Sequence, residues 1–168
     1  MGYKYIRAER QPGELVEIYV KYVPGSIANK RYFQYTAIDV AGMWRHLISY
    51  VKYQGLTPLL LCNGSYKRED LSSGQMHSLD QFCAAHNIVL YLIDPGKPAQ
   101  NGTVERNHRE DQEKFYQKNT FKNPRDLERK IRVWNTYYNN LVHCGLRGKT
   151  PNELLADYKL IKPPYVLA

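Results

Sequence analysis

The first third of the chain has a period of two. In "GELVEIYVKYVPG", residues 13–25, Val16, Ile18, Val20 and Tyr22 alternate with Glu17, Tyr19 and Lys21. Successive side chains of a strand point to opposite faces, so this stretch predicts a strand with a buried apolar face and an exposed polar one. "KRYFQYTAIDVAG" and "MWRHLISYV" predict two further strands joined through Gly-containing turns. The three together predict an antiparallel meander over residues 14–51. "TPLLLC" reads as a short fourth strand and "NGSYKREDLSSG" as a polar loop. The period then changes. Met76, Leu79, Phe82 and Cys83 in "QMHSLDQFCAAHN" fall at helical spacing and predict an amphipathic helix. "IVLYLID" is a continuous apolar run, the pattern of a strand inside a sheet.

Beyond residue 97 the pattern is helical. "PAQNGTVERNHRED" leads from a Pro- and Gly-rich loop into a charged helix that should reach about residue 118. A second helix is predicted to start at "NPRDLE", with Asn123 as its cap and Pro124 in its first turn. Its stripe of Leu127, Ile131, Trp134, Tyr138 and Leu141 should face the core. "TPNELLADY" predicts a short helix started by proline. Strands first, then strands alternating with helices, describe an α/β domain with a mixed sheet. The expected organisation is a lead-in over residues 1–11, one domain over 12–157 and a tail over 158–168.

Charge alters this picture. Lys plus Arg exceeds Asp plus Glu by 8 and the pI is about 9.3, which favours a polyanionic partner, nucleic acid first, over a merely basic protein. The series Lys114, Lys118, Lys122, Arg125, Arg129, Lys130 and Arg132 could track a DNA backbone. It could equally be a solvated helix face, because Glu113, Asp126 and Glu128 are interleaved. Fifteen tyrosines suit strand packing, and exposed ones could stack on bases. Three cysteines with no CxxC spacing fit reduced cytosolic thiols. Cys83 with His86, and His143 with Cys144, match no zinc-finger spacing, so Cys83 reads as a core thiol. No apolar run reaches membrane-spanning length, and "MGYKYIRAER" lacks both a signal-peptide core and the Ser/Thr of a myristoylation site.

The start of the helix after Gly102 concentrates the candidate chemistry. Free backbone N–H groups and a positive dipole end attract anions there. Lys97, Asn101, Gly102, Arg106 and Arg109 are the candidate phosphate-binding residues, with His108 beside them. Glu105 amid that positive charge is either a local charge balance at the helix N-terminus or a metal ligand.

Two blocks resolve the choice by resemblance. "IDPGKPAQNGTVERNHR" is similar to the Pro-x-x-Pro-x-x-Asn-Gly-x-x-Glu-Arg signature of rve-type integrase cores, found in DDE transposases and retroviral-type integrases. "YYNNLVHCGLRGKTPNELL" resembles that family's C-terminal Tyr-Asn-Asn…His…Leu…Thr-Pro-x-Glu block. The resemblance spans about residues 12–157. It implies a ribonuclease H-like fold, DNA as partner, and DNA strand transfer by two divalent metals, Mg²⁺ or Mn²⁺, held by two aspartates and a glutamate. It places the glutamate at Glu105.

The same resemblance places the two aspartates at Tyr19, on the first strand, and at Cys62, before Asn63-Gly64. A neutral phenol cannot supply a carboxylate's charge, and a thiol is a soft ligand suited to zinc or copper. One acid of three remains, so the expectation is a catalytically impaired copy. Alternatives stay open: an active polynucleotidyl transferase rebuilt on Asp39, Asp70 and Glu105, or a non-catalytic DNA-binding module that self-associates or pairs with an intact transposase. The implied setting is a prokaryotic-type mobile element, with the protein cytoplasmic and nucleoid-associated. Two further departures follow. Six residues, "KYQGLT", separate the third strand from the fourth, too few for a crossover helix, so that helix should be missing. No helix-turn-helix region is expected upstream of the first strand.

Overall fold

The computed structural model describes residues 10–51, 84–87 and 102–158. Three strands, β1 (Val16–Tyr22), β2 (Tyr32–Asp39) and β3 (Arg45–Val51), form an antiparallel sheet in the order β1-β2-β3. The meander expected over residues 14–51 is present, with Tyr19 opposite Thr36 and Thr36 opposite Leu47. Between β1 and β2 the chain folds back through a tight turn. Ile27 and Lys30 form a bridge, and Ala28 and Asn29 both have positive φ, as a type I′ turn requires. Asp39 closes the β2–β3 turn. Its carboxylate accepts the Gly42 N–H, and a side chain at Gly42 would meet Asp39 Oδ1 at 2.8 Å. A side chain there would force the Asp39 carboxylate off its bond to this turn.

Among the described residues the helices α1 (Gly102–Lys114), α2 (Pro124–Asn139) and α3 (Pro151–Asp157) follow. The expected cap of α2 forms: the Asn123 side chain accepts the Asp126 N–H at 2.9 Å, with Pro124 in the first turn. Thr150 and Glu153 make a reciprocal capping box at the start of α3. The predicted apolar stripe of α2 faces inward, with Leu127, Ile131 and Tyr138 buried and Trp134 partly so. Leu127 and Ile131 pack with Phe115 and Tyr116 against Tyr32 and Leu47 of the sheet and Val23 and Ile27 of the first turn. The first long helix ends at Lys114, and a 3-10 turn over Tyr116–Lys118 completes the length expected of it.

One assignment from periodicity holds only in part. Glu17, Tyr19 and Lys21 do not form a solvent face of β1; they face α1. Glu17 is 6% exposed, and on the apolar face Val20 is buried as expected while Val16 and Tyr22, at the strand ends, are 47% and 58% exposed. The reason is partner supply: α1 provides hydrogen-bond partners to this polar stripe, which removes the cost of burying it.

This α/β arrangement is compatible with a ribonuclease H-like fold. The fourth and fifth strands expected at "TPLLLC" and "IVLYLID", the short crossover after β3, and most of the helix expected over 75–87 lie outside the described residues. The end of that helix is described: Ala84 and Ala85 are helical, and Asn87 turns the chain with φ 56°. Left-handed Asn is a common helix stop.

Candidate functional site

The candidate site starts where α1 meets β1. Both Thr103 and Val104 donate their backbone N–H groups, at 2.9 Å each, to Glu17 Oε2. The anion-binding position at this helix N-terminus is therefore filled by a carboxylate of the chain itself. The N–H groups of Thr103 and Val104 are thus already paired and not free for a phosphate. Glu17 also takes the charge-balancing role considered for Glu105. Nothing local in the sequence marked it, because the N–H groups it accepts from lie some 86 residues further along the chain.

Glu105 sits one residue beyond these N–H groups, half-buried. Arg106 and Arg109 on the same helix are exposed, and neither forms an ion pair or hydrogen bond among the described residues. Gly102 is the first helical residue and half-buried. Lys97 and Asn101, also expected to hold phosphate, lie outside the described residues.

Tyr19, the position where the resemblance puts the first aspartate, faces α1 and meets the His108 ring edge to face at 5.0 Å. Lys21 donates to the His108 carbonyl oxygen at 3.1 Å. Burial pushes the His108 imidazole down to about 4, helped by the Lys21 ammonium, so it is neutral at physiological pH. Burial likewise pushes the Lys21 ammonium down to about 8, against the pull of Asp111. This is an ordered polar seam built on a phenol and a neutral imidazole.

The seam continues inward. Asp111 is fully buried; its Oδ1 accepts from Arg45 Nη1 at 2.9 Å and Trp134 Nε1 at 2.7 Å, and its Oδ2 from Gln34 Nε2 at 2.7 Å. Gln34 is saturated. Its amide also donates to Thr36 Oγ1 at 2.9 Å, and its Oε1 accepts the Tyr116 hydroxyl at 2.5 Å. Thr36 Oγ1 lies 3.0 Å from His108 Nε2. Burial lifts the Tyr116 phenol far above its ordinary value, so it stays a donor. Arg45, also fully buried, donates from Nη1 to Asn107 Oδ1 and stacks its guanidinium over the Tyr138 ring, 3.6 Å from its centre. Asn139 grips the same residue through both backbone groups, accepting from Arg45 N–H at 3.0 Å and donating to Arg45 C=O at 2.8 Å. Arg45, Asn107 and Asp111 escaped the sequence reading. The available hint was three polar residues, Asn107, His108 and Asp111, at apolar positions of the α1 stripe.

Asp39, an acid of the relocated set, lies elsewhere. It pairs in register with Val16, which places it on the sheet face away from α1. Its Oδ2 accepts the Gly13 N–H at 2.7 Å and its Oδ1 the Gly42 N–H. Burial raises its carboxyl above the ordinary aspartate value, opposed by these backbone bonds. Glu105 and Asp39 are not brought together. Cys62 and Asp70 lie outside the described residues. Among the described residues no three His, Cys, Asp or Glu side chains converge on a metal-sized point. A phenol and one carboxylate do not make the donor set of a two-metal site.

The class these features define is an α/β domain whose glutamate-bearing helix packs across a meander. Residues 86–151 match the family model of the integrase core domain, consistent with an rve-type integrase core. It includes Glu105 and most of the Tyr-Asn-Asn to Thr-Pro block, and it begins after β1–β3. No curated protein matches the chain. An integrase core indicates an integrase- or transposase-like, DNA-related function; such domains bind DNA generally and typically use divalent metals. Among the described residues no helix is long and apolar enough to cross a membrane.

Proposed function

We propose that this chain handles DNA as the integrase-like core of a transposition or integration system and does not itself carry out metal-dependent strand transfer. The observation behind it is Tyr19: a phenol packed on His108 where the resemblance calls for a carboxylate facing the Glu105 helix. A phenol does not supply a carboxylate's charge or its pair of oxygens, and the nearby acid Glu17 is committed to the helix N–H groups. Arg106 and Arg109, exposed on the same helix, and the net charge of +8 suit the phosphate backbone. Partners consistent with this reading are DNA, a second copy and an intact transposase, in the nucleoid of a prokaryotic host. The rival reading, a site rebuilt on Asp39, Asp70 and Glu105, gains no support from Asp39, which faces the other way and is held by two backbone N–H groups.

The test is a nicking and strand-transfer assay on DNA carrying the element's ends, with Mg²⁺ or Mn²⁺, alongside an electrophoretic binding assay. Binding without cleavage is expected. Metal-dependent cleavage that disappears in Glu105→Gln would overturn the proposal in favour of relocated acids.

A further inference from the structure

A cleft between α1 and α2 lies toward the C-terminal end of α1, away from Glu17 and Tyr19. We infer that it receives an unpaired nucleobase of a DNA strand, an inference that rests on the DNA-handling reading above. The cleft has a volume of about 210 Å³. That is below the roughly 300 Å³ at which sites for drug-sized molecules begin, and it suits a single flat ring system.

Its apolar wall is the end of a ladder of stacked rings. Phe115 lies against Trp134 at 5.6 Å and 12°, and Trp134 against Tyr137 at 5.5 Å and 20°. The ladder runs from the core to the surface, because Phe115 is 4% exposed and Tyr137 54%. Trp134 is fixed by its bond to the buried Asp111. The outer tyrosine therefore stands on a rigid support, and little side-chain freedom is lost when another ring packs there.

The opposite wall is polar. Glu110 and Lys114 are bonded to each other and line the cleft, offering one acceptor and one donor side by side to the edge of a base. The bond to Glu110 raises the Lys114 ammonium above its ordinary value, so it remains a cation. Lys118, exposed at the end of the following 3-10 turn, also lines the cleft and can reach a flanking phosphate. Aromatic platforms beside cations are how single strands are held without reading sequence. A paired, stacked base in a duplex cannot present its face to such a cleft.

The experiment compares a fluorescein-labelled single strand with its blunt duplex by anisotropy, using wild type, Tyr137→Ala and Tyr137→Phe, with the oligomeric state of each followed by sedimentation. Tyr137 is exposed, so its substitution should leave the fold intact. The expected result is a single-strand affinity about tenfold weaker in Tyr137→Ala, recovered in Tyr137→Phe, with duplex binding unchanged. No loss, or equal loss on both DNAs, overturns the inference while leaving the DNA-handling reading standing. So does a change from dimer to monomer in Tyr137→Ala, which would make this face a contact between copies. Wild type that binds neither DNA defeats the DNA-handling reading and this inference together.

Discussion

Two side chains at the β1–α1 junction carry most of what can be tested one residue at a time. Glu17→Ala leaves the N–H groups of Thr103 and Val104, both buried, without their acceptor and removes the anion from the positive end of the helix. The expected loss is roughly 1–3 kcal/mol, read from urea denaturation at constant m. An unchanged midpoint would mean water or another group satisfies those donors. His108 sets a pH dependence. Its folded pKa is depressed to about 4 from an ordinary 6.5. Above pH 6.5 the imidazole is neutral in both states and the full stability is present. As pH falls from about 6.5 to about 4 the unfolded chain takes up a proton that the folded chain refuses, and stability is lost, by up to roughly 3 kcal/mol for this group. His108→Gln should flatten the thermal-melting profile in that window. A variant profile that parallels the wild type would show the loss comes from other groups.

At the scale of elements, what the sequence made legible was local. The meander was readable because each strand's alternation and turn residues lie within a dozen positions. The start of α2 was readable because Asn123 and Pro124 sit beside the stripe they introduce. The burial of the polar face of β1 was not, because the groups that make those side chains acceptable arrive from α1, some 86 residues later. Alternation says that a strand has two faces; which one is covered depends on what packs there. The same blindness hid Arg45 and Asp111, since a charge reads as surface until its partner is known. The helix that carries Glu105 was legible through its flanking motif, whereas the contact of Tyr19 with His108 was not. Removing one member of the buried ion pair tests the join between sheet and helix. Asp111→Ala should cost about 3–5 kcal/mol, because it strands the Arg45 guanidinium in the core. The double variant Arg45→Met/Asp111→Leu should cost much less than the two single changes combined. Full additivity in that cycle would show the two charges do not act as a pair. Thr150→Ala, which opens the capping box of α3, should cost about 1 kcal/mol by the same measurement.

Across the whole molecule the controlling quantity is charge. If four to six phosphates are neutralised, the slope of log K against log salt concentration should be roughly −4 to −5 on duplex DNA. Reversing Arg106 and Arg109 together should make that slope shallower by about 2 and weaken all sequences alike, as backbone contacts do. A salt-independent affinity, or a slope the double variant leaves untouched, would place the DNA on another surface.

The Arg45–Asp111 pair also has a consequence for descent. Neither charge is tolerable alone in a dry interior, and Gln34 and Trp134 are bonded to the same carboxylate. Lineages derived from this chain should therefore exchange positions 45 and 111 together, as two charges or as two apolar groups, and rarely pass through a state with one. Exposed arginines such as Arg106 and Arg109 have no partner of this kind among the described residues, so no coupled change is expected of them. Sequences of diverged copies would thus record the ion pair as a coupled substitution, legible without any structure.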